Sequence, residues 1–223
     1  MSYKLEITDI QRVTHDVRQY NFEKPEGYEF EPGQATEVSI DKDGWRDEKR
    51  PFTFTSLNED HHLQFTIKSY PEHEGVTEQI GKLKKGDAFI IDDPWGTIQY
   101  KGPGIFLAGG AGVTPFIAIL RKLYKDGRLD GNTLIFSNKT DKDIILHDEF
   151  EEMLGENFIN VITDEPSDEH IFLDGFIDKN FLSEHIDDFD QPFYVCGPPA
   201  FVDSMLDYLK ELGANPDGLV FEE

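Results

Sequence analysis

The stretch Ile105-Phe106-Leu107-Ala108-Gly109-Gly110-Ala111-Gly112-Val113-Thr114-Pro115 decides the fold of this chain. Four consecutive apolar residues followed by a turn signal read as a buried strand. Beyond the glycines, Phe116, Ile117, Ile119, Leu120, Leu123 and Tyr124 recur at helical spacing. Glycine lets the backbone approach a ligand closely and take positive φ. Thr114 is expected as the N-cap and Pro115 as the first helical residue. The expected product is a helix N-terminus whose free N–H groups suit a phosphate. Two common fingerprints do not fit. Pro115 stands where the third glycine of the usual dinucleotide motif would be, and no Gly-Lys-Ser/Thr ending marks a Walker A loop. Taken alone, such a segment also fits a plain tight turn.

Downstream, strands and helices alternate. Thr133-Leu134-Ile135-Phe136, Asn160-Val161-Ile162-Thr163 and Phe193-Tyr194-Val195-Cys196 read as strands. Helices are expected around His147 to Leu154 and from Pro199 to Leu212, the latter with Phe201, Val202, Met205, Leu206 and Leu209 on one face. Asp164 to His170 reads as a polar loop. Such alternation predicts a parallel sheet covered by helices. Upstream the pattern differs. Tyr3 to Ile7, Ala35 to Ile40 and Leu63 to Lys68 alternate with period two, and Pro32-Gly33, Asp43-Gly44 and Lys85-Gly86-Asp87 punctuate them. About six short strands with few helix signals predict a small antiparallel barrel or sandwich. The Lys101-Gly102-Pro103-Gly104 cluster marks the change, so two domains are expected, 1–101 and 102–223.

Composition narrows the function. With 38% hydrophobic residues and 18 Phe, the 223-residue chain has enough apolar surface for packed cores. No run reaches the ~20 apolar residues of a membrane helix, and Met1-Ser2-Tyr3-Lys4-Leu5-Glu6 lacks signal-peptide regions. The single Cys196 excludes an internal disulfide and a cysteine-held cluster. A cytoplasmic location and a monomer are the expectations. The net charge of −24 repels phosphate backbones and anionic lipids, which argues against nucleic-acid and membrane partners.

Three further segments carry chemical potential. Arg50-Pro51-Phe52-Thr53-Phe54-Thr55-Ser56 offers a phosphate clamp, a flat stacking ring and a hydroxyl on one strand, with Arg50, Phe52 and Phe54 expected on one side and Thr53 and Thr55 on the other. Gly75-Val76-Thr77 opens a short helix after a strand. Cys196-Gly197-Pro198-Pro199 ends an apolar strand, where open α/β sheets bind ligands. Each alone also fits an ordinary structural role. His61 and His62 face opposite ways on a strand, and the seven histidines show no metal-ligand spacing. Asp148, Glu149, Glu151 and Glu152 read as a solvated helix face, and Asp92-Asp93-Pro94-Trp95-Gly96 as a turn.

These four segments in this order resemble the ferredoxin–NADP reductase superfamily, over nearly the whole chain from about Leu5 to Glu222. The resemblance implies an antiparallel β-barrel flavin domain followed by an α/β parallel-sheet nucleotide-binding domain. It implies FAD and NAD(P)H as cofactors. Phe52 would stack on the flavin ring, with Thr53 near the flavin N5 that receives hydride. Arg50, beside Pro51, would bind the flavin phosphates with the backbone of Gly75, Val76 and Thr77. Gly110, Gly112 and Thr114 would cradle the nucleotide pyrophosphate. Cys196 and Gly197 would line the nicotinamide pocket. Thr53, Cys196 and Glu222 are the catalytic candidates, tuning position and polarity. The departures are Phe52 where relatives often carry Tyr, Thr53 for the commoner Ser, and Gly175-Phe176 for a Gly-Arg pair. The chain also ends at Glu223 without a terminal aromatic, which implies readier nicotinamide access, with Phe221 as a substitute lid. Ser137 and Lys139 stand where the adenosine ribose is expected. Lys139 facing a 2′-phosphate favours NADPH, while Asp141 and Asp143 oppose it and a solvated lysine fits equally.

The resemblance further implies a separate electron carrier such as ferredoxin or flavodoxin, or a small electron acceptor. Lys82, Lys84 and Lys85 are the best basic docking cluster, although a solvated turn also accounts for them. Two alternatives stand beside this: the reductase component of an oxygenase system, and a redox-silent nucleotide-binding regulatory subunit.

Overall fold

In the computed structural model, residues 1–72, 74–96, 98–164 and 172–221 are described. The first half is built from β1 (Tyr3–Arg12), β2 (Val17–Glu23), β3 (Ala35–Ile40), β4 (Arg50–Thr53), β5 (His62–Lys68), the short helix α1 (Val76–Ile80) and β6 (Ala88–Ile91). These strands form a six-stranded antiparallel sheet in the order β4-β3-β6-β1-β2-β5. The sheet closes on itself just after β4. Phe54 bridges Phe65 of β5, and the Thr55 N–H donates to the Gln64 carbonyl. Closure removes the free edges that an open sheet would present. The barrel is filled by aromatic rings: Phe22, Phe54, Phe65 and Phe89 are fully buried, and Phe54 stacks on Phe30 at 4.3 Å. This burial of Phe54 corrects the expected alternation. Phe52 remains half-buried, but Phe54 has turned into the barrel core and offers no ring to a ligand.

The second half contains β7 (Ile105–Gly109), α2 (Thr114–Lys125), β8 (Thr133–Asn138), α3 (His147–Leu154), β9 (Phe158–Ile162), β10 (Leu173–Asp174), α4 (Lys179–His185), β11 (Phe193–Cys196), α5 (Pro199–Glu211) and β12 (Leu219–Phe221). All six strands are parallel, in the order β10-β9-β8-β7-β11-β12. Alternation along β7 divides the burial. Phe106 and Ala108 pack with α2 and α3, while Ile105 and Leu107 pack with α4 and α5. A sheet buried on both faces accounts for strands that read as continuous apolar runs. The sequence order of the strands reverses between β7 and β11, so their carboxyl ends border the crevice of a topological switch point.

The two halves share a packed seam. Val17 and Ile98, at 1% and 2% exposure, belong to the same apolar cluster as Phe116, Ile119 and Leu120 of α2. Gly33 has φ +93, and a β-carbon there would lie 2.1 Å from the Ile98 carbonyl oxygen and 3.1 Å from Ile119 Cδ1. The Pro32-Gly33 turn is therefore a point of close approach as well as punctuation. Tyr194 ties the connecting segment to the sheet. Its hydroxyl accepts from the Lys101 and Gly102 N–H groups and donates to the Gly102 carbonyl. Burial raises its pKa, so it stays the neutral donor this bonding needs. Among the described residues, no helix is long and apolar enough to cross a membrane.

Ion pairs reinforce the seam. Lys122 and Lys125 of α2 reach Glu59 at 3.1 and 3.2 Å. The Glu59 carboxyl is lowered to about 2, first by its own backbone N–H and then by the two lysines, against a partial desolvation. A depressed carboxyl favours the folded state above its unfolded value of 4.5, and that contribution is lost as the pH falls toward 2. These groups are more than a third exposed, so the contribution is under about 1 kcal/mol. The Glu59→Gln variant is expected to unfold at lower urea than wild type at pH 7. The gap should shrink below pH 4.5 and close near pH 2 in parallel urea titrations. A gap independent of pH would contradict this account.

Candidate functional site

The glycine loop and the Cys196 tip meet at the switch point. Cys196 pairs in register with Ala108 on the neighbouring strand β7. The chain then leaves β7 through the single turn Gly110–Val113, with Gly110 at φ +52. A β-carbon on Gly112 would stand 2.3 Å from the Cys196 carbonyl oxygen and 2.5 Å from Gly197 Cα. Only glycine permits that separation. One on Gly197 would meet the Phe201 ring at 2.7 Å and Gly109 Cα at 3.2 Å. The helix start differs by one residue from expectation. Val113 is the N-cap, Thr114 opens α2 and Pro115 follows, while the Thr114 hydroxyl donates to the Ala111 carbonyl instead of capping. Proline in the first turn removes an N–H that the helix cannot use.

A cleft of about 1060 Å³ opens above this junction, between the barrel and the carboxyl ends of the parallel strands. One wall is Gly109 to Gly112 with Gly197, Pro198 and Phe201. A second is Ser137 to Thr140, with Asp143, Thr163 and Asp164. The barrel supplies His15, Asp16, Lys68 and Tyr70. Of the residues expected from the sequence, Gly110, Gly112, Ser137, Lys139 and Gly197 line this cleft together. Cys196 sits half-buried beneath it, in contact range of Gly112.

The flavin candidates stand on the barrel. Arg50 is exposed, and its guanidinium donates to the Lys49 carbonyl and lies 4.0 Å from Glu48. Pro51 is exposed, Phe52 half-buried and Thr53 buried, paired across to Ala35. Gly75 precedes α1 in extended conformation without a side-chain cap, and Val76 and Thr77 form the helix's first turn. Their N–H groups are the uncapped donors of a helix start. None of Arg50, Pro51, Phe52, Thr53, Gly75, Val76, Thr77 or Thr114 lines the cleft itself. The Gly75 turn connects to it through the chain, which leaves β5 at Lys68 and passes Tyr70 on the cleft wall. Glu222 lies outside the described residues, as do 165–170 of the expected polar loop. Phe221 ends β12 and packs on the core beside α4 and α5.

The residues present fit a dinucleotide in the cleft. Asn138 is 5% exposed and lines it, yet both polar atoms of its carboxamide have no partner among the described residues. A buried amide left unpaired costs about 1–3 kcal/mol, which a ligand's polar groups relieve. The electrostatics are acidic. Asp143 accepts from the Thr140 N–H at 3.0 Å and hydroxyl at 2.8 Å in a capping box, and lies 3.8 Å from His15. Lys68 is engaged by Asp16 at 3.1 Å. Lys139 is exposed.

The sequence reading missed His15, Asp16, Lys68, Tyr70 and Phe201 as cleft residues. Lys68 and Tyr70 were within reach, because they sit two apart at the end of a strand and so share a face. Nothing local marks His15, which arrives from the β1–β2 turn. Glu149, read as solvated, is in fact half-buried and held by Arg121. The Lys82 cluster is partly neutralised, since Lys82 binds Glu78 at 2.6 Å. Phe176, at the Gly-Arg departure, is 73% exposed.

Residues 4–100 match the family of oxidoreductase FAD-binding domains, and residues 106–207 match the family of oxidoreductase NAD-binding domains. The chain belongs to the ferredoxin–NADP reductase-like superfamily. It is 28% identical to the plasma membrane-associated coenzyme Q6 reductase PGA3 of Saccharomyces cerevisiae, over 94% of this chain and 71% of that one. It is 27% identical to the reductase component of propane 2-monooxygenase of Rhodococcus jostii, over 97% of this chain and 62% of that one. Its fold matches the FAD/NAD-binding domain of nitric oxide dioxygenase from Vibrio cholerae with a TM-score of 0.86 at 20% identity, covering 98% and 97% of the two chains. This is a flavin-dependent oxidoreductase that moves electrons from NAD(P)H to FAD and on to a partner.

The closeness of Gly112 to Cys196 makes the loop intolerant of any side chain. Gly112→Ala is expected to force the two loops apart at a cost of about 1–3 kcal/mol. At about 2–4 °C per kcal/mol for a chain of this size, the melting point falls by several degrees. Titration with NAD⁺ should show at least a tenfold weaker complex. Wild-type melting and affinity together would refute the assignment.

Proposed function

We propose that the electron donor is NADH and that the acceptor is a separate protein with an uncharged or basic docking face. The observation that carries the donor is the set of carboxylates on the cleft. A 2′-phosphate brings close to two negative charges, and it would meet Asp16, Asp143 and Asp164. A free ribose hydroxyl instead donates a hydrogen bond to a carboxylate. Lys68 is already taken by Asp16, and Lys139 alone faces the opposing charges. This reading departs from the NADPH preference that Lys139 suggested in sequence.

The resemblance and the placement of these elements support the following roles. Arg50 and the α1 backbone at Gly75, Val76 and Thr77 hold the flavin phosphates, and Phe52 with Thr53 on β4 orients its ring. Gly110, Gly112 and Gly197 admit the nucleotide backbone, with Thr114 fixing the loop and Ser137 and Asn138 bonding the ribose end. Cys196 and Glu222 keep the roles that the resemblance implies for them, tuning position and polarity at the reacting end. The bound flavin supplies the conversion of a two-electron hydride into onward electrons; the chain supplies alignment, shielding and charge. The boundary between the units falls at 101 and 102. A net charge of −24 supports a monomer, because copies repel one another, and the lone half-buried cysteine suits the reducing cytoplasm.

The purified protein is expected to show flavin absorption bands that bleach under anaerobic NADH, with kcat/KM for NADH at least tenfold above that for NADPH. A colourless protein that binds no added FAD would end the flavin assignments, and a preference for NADPH would end the donor assignment.

The acceptor leaves a salt signature. Like-charged partners are slowed by repulsion, which salt screens within about 10 Å at 0.1 M. Reduction of an acidic ferredoxin or flavodoxin is therefore expected to accelerate as ionic strength rises, and reduction of a basic carrier to slow. The oxygenase-component reading is favoured by the likeness to the propane monooxygenase reductase. It expects an oxygenase or its ferredoxin to accept electrons faster than any free flavodoxin.

A further inference from the structure

Arg121 stands outside both sites yet touches both of the units that build them. It lies on α2, seven residues beyond Thr114, with a side chain 21% exposed. Its guanidinium makes four contacts in three directions. Nε and Nη2 form a fork on the Glu149 carboxylate of α3, the latter at 2.8 Å. Nη1 donates to the Thr55 carbonyl at 2.5 Å and to Gln64 Oε1 at 2.9 Å. Thr55 belongs to the segment that continues from β4, two residues after Thr53. Gln64 is on β5.

The barrel side of this contact is itself a closed polar network. Gln64 Oε1 also accepts from Gln19 at 3.1 Å and from the Thr55 hydroxyl at 3.1 Å. The Gln64 amide donates to Asn21 at 3.0 Å, and the Thr66 hydroxyl to that of Thr55 at 3.1 Å. Gln19, Thr55, Gln64 and Thr66 are all at least nine-tenths buried. A planar guanidinium with its donors in a fixed fork transmits orientation as well as attraction. Here one guanidinium joins the helix that begins at the glycine loop to the segment that follows the strand carrying Phe52 and Thr53.

We propose that Arg121 is a positioning residue that sets the angle between the two units and so the alignment of the nucleotide with the flavin. The proposal rests on the sites assigned under Proposed function. Arg121 is neither among the residues lining the cleft nor among the flavin candidates, so its loss acts on alignment and leaves each binding surface intact. Because a misplacement of about 1 Å costs on the order of a hundredfold in rate, a small rotation is enough. Lysine keeps the charge but, as a compact point donor, cannot serve Glu149 and Thr55 at once.

The test compares wild type, Arg121→Gln, Arg121→Lys and Glu149→Gln as FAD-loaded full-length proteins. Anaerobic stopped-flow mixing with NADH reads flavin bleaching, and NAD⁺ titration reads affinity. Arg121→Gln is expected to lower the bleaching rate constant about 10- to 100-fold, with flavin content unchanged and NAD⁺ affinity within about threefold. Arg121→Lys and Glu149→Gln should fall between. Hydrogen–deuterium exchange in the nucleotide-free proteins gives a readout apart from turnover: amides of residues 52–57 and 101–104 should exchange faster in Arg121→Gln. Bleaching at the wild-type rate, or unchanged exchange in these segments, overturns the proposal. If Arg121→Gln does not fold, wild-type bleaching rates in both remaining variants overturn it. A wild type that binds no flavin removes the reading beneath it as well, while a wild type that bleaches normally beside an equally fast Arg121→Gln removes the positioning role alone.

Discussion

The arrangement depends on two backbones passing too close for a side chain to stand between them. Where Gly112 crosses Cys196 and Gly197, no side chain fits on the loop. That contact exists because β7 and β11 are neighbours although most of the second half separates them in sequence. The switch in strand order opens the crevice, and the glycines keep its floor low enough for a ligand backbone. Gly110 with its left-handed φ, the helix start at Thr114 and the Phe201 ring against Gly197 all follow from holding those two loops together.

A second constraint comes from charge. The chain carries 45 acidic side chains against 21 basic ones, so cations are scarce. Several of them gather at the seam: Arg121, Lys122 and Lys125 from one helix meet Thr55, Gln64, Glu59 and Glu149. The exposed pairs at Glu59 contribute little individually. The half-buried Arg121 contributes geometry. It is enclosed by satisfied polar groups, and in that setting a charged group specifies one arrangement over its neighbours.

Much of this was legible in residues. The run from Ile105 to Pro115 announced strand, turn and helix because apolar continuity, glycine and proline act locally. Arg50 to Thr53 and Gly75 to Thr77 were legible as motifs, and the period-two stretches as barrel strands. Other features were not. Phe54 reads like Phe52 in sequence, but barrel closure onto Phe65 turns it inward. Glu149 looks like its acidic neighbours until tertiary packing sets Arg121 beside it. His15 and Asp16 reach the cleft only because the β1–β2 turn folds over it. In each case the deciding partner is more than ten residues distant, and no local pattern encodes it.

Val17 and Ile98 belong by sequence to the barrel and by packing to the helix α2 of the other half. The two sheets are separable on paper, yet an apolar cluster of the second half takes in residues of the first. Exchange of one half for that of a relative therefore has to bring the matching residues at Val17, Gly33 and Ile98 with it. Recombination in this architecture is bounded by a greasy hinge line and not by the glycine-rich connector that a domain map would cut.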